Sequence, residues 1–303
     1  MILLAELVSS FMNSALVGSL YALIGLGLTL SIRATRIYNW AYGEFVTIGA
    51  YVAAVLTTHQ GLGLLASLGC AILAPAGVAI LVDESVFKPL SKRGSGSIQI
   101  MLASIAVDIM IRYGIYIYAA IASLLMIEAS FPVWTISSFL GLQLTSLHLW
   151  IIPSTLAIVI GLQALLSKTM LGKQFRAMSD NPELAGVTGI DVTTLRRVGW
   201  LMVGAMAGLA GAFWSMYLVL TPEIGSTLML DAFAAAIVGG RTFYGTVIAG
   251  YIIGLAENVG AYLLNQIFGV PTQYKLLIMF SIMIIVLIVR PSGLIRGTLG
   301  GVL

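Results

Sequence analysis

Long uncharged apolar runs dominate this chain, and their lengths divide it into elements. Leu7 to Ile32 runs 26 residues without a charge, and Phe45 to Val82 runs 38. A helix needs about 20 apolar residues to cross the hydrocarbon core of a bilayer. The second run is too long for one crossing, so its break, His59-Gln60-Gly61-Leu62-Gly63, is expected to be a turn between two helices. A further span carries Asp108 and Arg112. Ala129 to Ser167 is also uncharged, but Ser130, Pro132, Ser137, Ser138, Gly141 and Pro153 make its first half a poor helix. The pattern predicts a loop over 128–147 and a span over 148–167. Val198 to Pro222 reads as another span. After Asp231, the apolar stretch Ala232 to Gly240 has nine residues, too few to cross, and reads as a half-helix or re-entrant piece. Helices at about 245–265 and 274–290 follow. The expected fold is all-α and polytopic, with about eight transmembrane helices plus the half-helix.

Composition agrees with that pattern. Of 303 residues, 59% are hydrophobic and 9% charged, with a mean hydropathy of +1.04. Too little polar material is present to coat a water-soluble surface of this size. A single Cys excludes a disulfide scaffold, and a formal charge of +3 is too modest for a nucleic-acid binder. The basic pI of 9.0 instead reports topology. With the N-terminus outside and the C-terminus in the cytoplasm, 13 of the 15 Lys and Arg residues lie on the cytoplasmic side, among them Arg33, Arg36, Arg241 and Arg296. The opening Met1-Ile2-Leu3-Leu4-Ala5-Glu6 lacks the positive region of a signal peptide, so the first helix is expected to be retained. Tyr42-Gly43 with Gly49-Ala50-Tyr51 loosely echoes Tyr244-Gly245 with Gly250-Tyr251, in the manner of the internal repeats of transporters.

The longest predicted cytoplasmic loop, about 168–197, is unlike the rest. Asn181 is a good N-cap, Pro182 suits the first helical position, and Glu183 complements the positive end of a helix dipole. Leu184, Val187 and Thr188 then share a face, Ala185 and Gly186 are small, and Gly189 can end the helix. Spacing alone leaves two readings, a protein-docking helix and a solvated connection.

Motifs across the chain resemble those of the permease subunits of branched-chain amino-acid ABC importers. The loop is similar to the family's ATPase-docking loop, with its Arg-Ala start at Arg176, the Pro-Glu-x-Ala core and the Gly-Ile-Asp end; Asp180 precedes the capping Asn181. Gly18-Ser19-Leu20-Tyr21-Ala22-Leu23-Ile24-Gly25-Leu26-Gly27 resembles the family's first helix. Asn39-Trp40-Ala41-Tyr42-Gly43-Glu44 resembles its Asn-Phe-Ala-His-Gly-Glu motif, with Tyr42 in place of the His. Ala232-Phe233 through Val238-Gly239-Gly240 and Pro291-Ser292-Gly293-Leu294 resemble its re-entrant stretch and C-terminal end, with Arg241-Thr242-Phe243-Tyr244 replacing a Gly-rich turn. The resemblance implies a single permease domain over 1–303 in the plasma (inner) membrane of a prokaryote. It also implies a homologous second permease subunit in a heterodimer, two cytoplasmic ATP-binding subunits and an extracytoplasmic solute-binding protein. Branched-chain or other hydrophobic amino acids are the implied cargo, with urea or short amides as the alternative.

Asn39, Tyr42, Glu44 and Glu257 are the candidates for a translocation pathway. Within its helix, Glu257 shares an arc of about 60° with Gly250, Gly254 and Ala261. A carboxylate on such a small-residue stripe is expected to face the protein interior, either lining a solute path or hydrogen-bonding a neighbouring helix. Glu44 is expected to cap its helix or pair with Arg33 or Arg36. Asp108 and Arg112 have the i, i+4 spacing of an intrahelical ion pair that eases burial. The stripe of Gly204, Gly208 and Ala212, with Gly211 beside it, is packing surface for another helix of this chain or of a partner subunit. No phosphate-cradling loop occurs, since Gly172-Lys173 is followed by Gln174. His59 and His148 fall in predicted outer loops without ligand partners, so neither metal, cofactor nor enzymatic chemistry is expected. An ion-coupled secondary transporter or channel remains the competing class, because a half-helix and intramembrane charges suit it as well.

Overall fold

The computed structural model describes residues 2–35, 38–131, 133–139, 142–240, 242–271, 274–291 and 293–294, with side chains of 2–6, 34–35 and 136–144 left aside. Arg36, Arg241, Ser292 and Arg296, which figure in the sequence reading, lie outside the described residues. In chain order the elements are α1 (Ile2–Thr35), α2 (Tyr42–Thr58), α3 (Leu64–Val82), a π-helical turn (Asp83–Phe87), α4 (Lys88–Lys92) and α5 (Ser97–Ile121). A hairpin of β1 (Thr135–Phe139) and β2 (Leu142–Thr145) follows. The rest comprises α6 (Ser146–Lys168), α7 (Met170–Asp180), α8 (Pro182–Val187), α9 (Val192–Ser215), α10 (Ile224–Val238), α11 (Phe243–Phe268) and α12 (Lys275–Val289). Six of the described helical segments are long and apolar enough to cross a membrane: Leu7–Arg33, Leu64–Lys92, Ser97–Ile121, Ser146–Lys168, Val192–Ser215 and Phe243–Phe268. Helices α2, α10 and α12, at 17, 15 and 15 residues, are shorter. The architecture is that of a helical multi-pass membrane protein.

The described residues fall into two compact units. One takes residues from Gly27–Phe131 and Ala164–Leu230, the other from Met1–Leu26, Pro132–Gln163 and Asp231–Leu303. In the first, α2, α3 and α9 pack against one another, and α5 lies along α2. Glycines set the spacing of this trio. A Cβ at Gly208 would land on the Ala71 carbonyl, one at Gly211 on the Val46 carbonyl, and one at Gly204 on the backbone of Pro75 and Ala76. The stripe predicted as packing surface thus meets α2 and α3 of its own chain. Small residues allow backbones to approach this closely where lipid supplies no hydrophobic drive.

In the second unit, the N-terminal part of α1 packs on α11. Gly250 faces the Ala22 backbone, Gly254 faces Gly18, and Gly25 faces Thr246 and Ala235. Leu16 to Ile32 of α1 is almost wholly buried, as expected of a helix that is apolar all round. Leu294 donates its N–H to the Val238 carbonyl at 2.8 Å, tying the segment that follows α12 to α10. By contrast α5, α6 and α12 present many exposed apolar side chains, including Ile98, Met110, Ile121, Ile160 and Ile288.

Several expectations are corrected. The stretch 128–147 is not simply a loop, because Thr135–Phe139 and Leu142–Thr145 pair antiparallel. The span expected to end at Pro222 leaves the helix after Ser215; Leu220 then forms a bridge with Ile127, which a continued helix would forbid. The short helix near 232–240 begins eight residues earlier, at Ile224, so Asp231 lies inside α10 and does not bound it. A buried charge in mid-helix had looked like an end. The loop 168–197 contains α7 as well as the short helix α8. His148 stands in the first turn of α6, buried, with Nδ1 at 2.9 Å from the Thr145 hydroxyl.

Candidate functional site

Two groups of predicted residues gather in the first unit. The segment that opens α2 brings one of them together. Asn39 accepts from the Ala41 N–H through Oδ1 at 3.1 Å, and the Trp40 N–H donates to Ser104 of α5 at 3.1 Å. Asn39 and Tyr42 are buried, and the Tyr42 hydroxyl fits against Gly27, where a Cβ would collide with it. Glu44, two residues further along α2, is wholly buried, and its ion pair among the described residues reaches across to α5. Arg112 of α5 donates from Nε to Glu44 Oε1 at 3.1 Å and from Nη2 to Asp108 Oδ2 at 2.5 Å. The intrahelical pair is therefore a triad of two carboxylates about one guanidinium. Removing a carboxylate from water is costly unless it is paired, and Arg112 serves both at once. Glu44 Oε2 keeps no hydrogen-bond partner.

The second group is the connection between α6 and α9. Thr169 caps α7 by accepting from the Gly172 N–H, and Gly172, Phe175 and Met178 form its buried face. A Cβ at Gly172 would collide with the Leu166 carbonyl, so glycine lets α7 fold back against α6's end. Arg176 and Asp180 lie on α7, and Ser179 donates to the Arg33 carbonyl at 2.9 Å. Asn181 Oδ1 then accepts from the N–H groups of Glu183 and Leu184 at 3.0 and 3.1 Å, with Pro182 in the first turn. At the far end Gly189 takes φ +88°, the Ile190 N–H reaches the Ala185 carbonyl, and the Gly189 N–H reaches that of Gly186. This is a Schellman closure, which needs a residue at ease in the left-handed region. Ala185 is 3% exposed, whereas Leu184 and Val187 are 61% and 85% exposed. Asp191 caps α9 directly afterwards, accepting from the Thr194 hydroxyl and the N–H groups of Thr193 and Thr194. Those bonds, led by the Thr194 hydroxyl, hold its carboxyl below the usual range.

Glu257 belongs to the other unit. It is 0% exposed on α11, on the inward stripe of Gly250, Gly254 and Ala261, and its Oε2 accepts from the Tyr21 hydroxyl at 2.7 Å. Its Oε1 has no partner.

Sequence reasoning missed two features. Asp231, buried in α10 with Oδ1 unpartnered, lies close enough to Glu257 and Lys275 for their charges to interact. Its signal was available, as the sole charge in that apolar helix. Arg196 and Arg197 of α9 also pair with Asp83 and Glu84 of the π-helical turn. Charges at the ends of two apolar runs hinted at ends, not at each other. Among the described residues no cluster of three or more His, Cys, Asp or Glu could hold a metal ion.

The family described as "Branched-chain amino acid transport system / permease component" matches residues 10–287. The chain is similar to the probable branched-chain amino acid transport permease protein LivH of Methanocaldococcus jannaschii, at 34% identity over 91% of this chain and 88% of that protein. It is similar to the high-affinity branched-chain amino acid transport system permease protein BraD of Pseudomonas aeruginosa, at 28% identity over 93% and 94%. The corresponding LivH of Escherichia coli strain K12 shares 26% identity over 93% of each chain.

Proposed function

Because the chain belongs to the family of branched-chain amino acid transport permeases, we propose that it is the membrane subunit of an ABC importer for branched-chain or other hydrophobic amino acids. A solute-binding protein delivers the amino acid from outside, and ATP is hydrolysed on two separate cytoplasmic subunits. The whole chain acts as one permease domain, paired with a homologous second permease in the plasma membrane of a prokaryote. Its N-terminus lies outside and its C-terminus inside. Eight helices cross, α10 descends part-way as a re-entrant element, and residues 168–197 form the coupling region. Asn39, Tyr42, Glu44 and Glu257 belong to the pathway.

The observation that carries this reading is the exposed apolar pair Leu184 and Val187 on a helix capped at both ends. Such a helix is held in shape without a partner, yet offers an apolar face outside the long apolar helices. An ATPase subunit is the partner that the relatives' transport function calls for. An ion-coupled transporter does not require this feature.

Gly186→Trp tests it. A Cβ there meets only Val192 Cγ2 at 4.0 Å, so the substitution leaves α8 folded while adding bulk to its surface. The expected result is a stable permease that neither retains the ATPase nor supports ATP-dependent uptake. Normal ATPase retention and uptake would reduce this region to a connector and favour an ion-driven transporter.

A further inference from the structure

Two ion pairs at consecutive residues join the foot of α9 to the π-helical turn, and they differ in kind. Asp83 and Arg196 have side chains 2% and 22% exposed, and the guanidinium reaches both carboxylate oxygens. Separating them strands a buried charge, which is costly. Glu84 and Arg197 are 32% and 53% exposed, joined by a bond of 2.6 Å from Arg197 Nε to Glu84 Oε1. Separating such a pair is easy, because an exposed ion pair shifts an equilibrium by a factor of about 5 or less.

Each member of the exposed pair also has a second partner. Lys88 donates from Nζ to Glu84 Oε2 at 2.6 Å, so Glu84 is divided between the first residue of α4 and an arginine of α9. Asp191, the cap of α9, lies close enough to Arg197 for their charges to interact. Parting Arg197 from Glu84 therefore leaves neither charge alone. Lys88 and Arg197 bring like charges to one carboxylate, so each weakens the other's hold on it.

The surroundings decide which parts move together. Above the turn, α3 and α9 meet backbone to backbone at Gly204 and Gly208, so they travel as one body. Asp83 directly follows Val82, the last residue of α3, and goes with that body. Glu84 is held to α4 by Lys88. Between the two lies the π-helical turn, and such turns are where helices kink. Helix α8 acts at the same place, since Ala185 is buried and a Cβ on Gly186 would meet Val192, the first residue of α9.

We propose that Asp83–Arg196 is a pivot and Glu84–Arg197 a latch. When α8 displaces α9, α3 and α9 swing together on the pivot, the π-helical turn bends, and Arg197 parts from Glu84, which stays with Lys88. This rests on the importer reading above and deepens it by naming the positioning residues through which the coupling region acts on the membrane helices.

The test is ATP hydrolysis by the complete transporter in proteoliposomes without its solute-binding protein, beside ATP-dependent leucine uptake with it. Arg197→Ala removes the latch, whereas Lys88→Ala removes the competitor for Glu84 and tightens it. Basal hydrolysis should change about 2–5-fold in Arg197→Ala and in the opposite direction in Lys88→Ala. Arg197→Lys keeps the charge and should keep the original rate. A contact that only supports the fold is loosened by both alanine variants alike. Changes of the same sign, or a rate unmoved in either alanine variant, therefore overturn the latch. Leucine uptake by the unaltered transporter separates the two readings. Its absence overturns the importer and the latch with it, whereas same-sign changes beside normal uptake overturn the latch alone.

Discussion

Arg196 grips Asp83 through two nitrogens, with Nη2 at 2.6 Å and Nε at 2.8 Å from its carboxylate oxygens, although 113 residues separate them. The bond joins the foot of α9 to the π-helical turn below α3. Beside it Arg197 meets Glu84 at 2.6 Å, and Trp200 stacks on Phe87 at 5.4 Å between ring centroids. π-Helical turns recur at functional sites, and this one presents Asp83, Glu84 and Phe87 to a single partner helix.

The two arginines should differ sharply when removed. Asp83 is 1% exposed, so Arg196→Ala leaves a buried carboxylate without its counter-charge, a loss of about 3–5 kcal/mol. Arg197 is largely in solvent and its replacement should change stability little. Chemical unfolding in detergent micelles, compared across the two variants and Asp83→Asn, checks the contrast; equal losses for Arg196→Ala and Arg197→Ala would refute it.

Replacing Gly208 by Ala should destabilise the α3–α9 contact by about 1–3 kcal/mol, because the new Cβ lands on the Ala71 carbonyl and backbone must move. Gly161→Ala on α6 is the control, since a Cβ there meets nothing within 4 Å. Thermal stability followed by size-exclusion chromatography should fall for the first and hold or rise for the second.

The cap of α9 should be acid-sensitive. Asp191 titrates lower in the folded protein than the ordinary value near 3.9, so its contribution is complete above that value and is lost as pH falls through the folded one. Amide exchange at Thr193 and Thr194 should therefore stay protected at pH 5 and above, and the first turn should fray only below about pH 4. Asp191→Ala should show the frayed pattern at neutral pH as well.

Topology is open to labelling in a background where the exposed Cys70 is replaced by Ser. A cysteine at Gln60 should react with an impermeant maleimide from outside intact cells. One at Glu183 should react only after permeabilisation. Both reacting on the same side would mean that one of the intervening helices does not cross.

The apolar runs gave away most of the helices because run length is a local property: the break at 59–63 and the start of α6 near 148 needed no partner to be visible. Glu44 and Arg112 are 68 residues apart, and nothing in either neighbourhood indicates the other. Pairing of that kind depends on which faces of α2 and α5 meet, which only packing decides. Helix α7 had its signal in Gly172, Phe175 and Met178, three residues apart, but Lys173 and Arg176 among them made the segment look like plain cytoplasmic connection. In α8 the opposite held, for Asn181 and Gly189 are local devices that act on their own backbone, and both ends could be read directly.

The glycine contacts of α2, α3 and α9 have a mechanical consequence. Where Gly49 sits on Gly208, Gly211 on Val46 and Gly204 on Ala76, backbone meets backbone with little side chain between them to deform. Packed helices that shear past one another do so by small side-chain readjustments, and here the pieces that would readjust are carbonyls and α-carbons. A displacement entering α9 from α8 through the Asp191 cap cannot be absorbed by slippage. The three helices must swing together, so any gate they form opens as one leaf, and its hinge has to lie outside the trio.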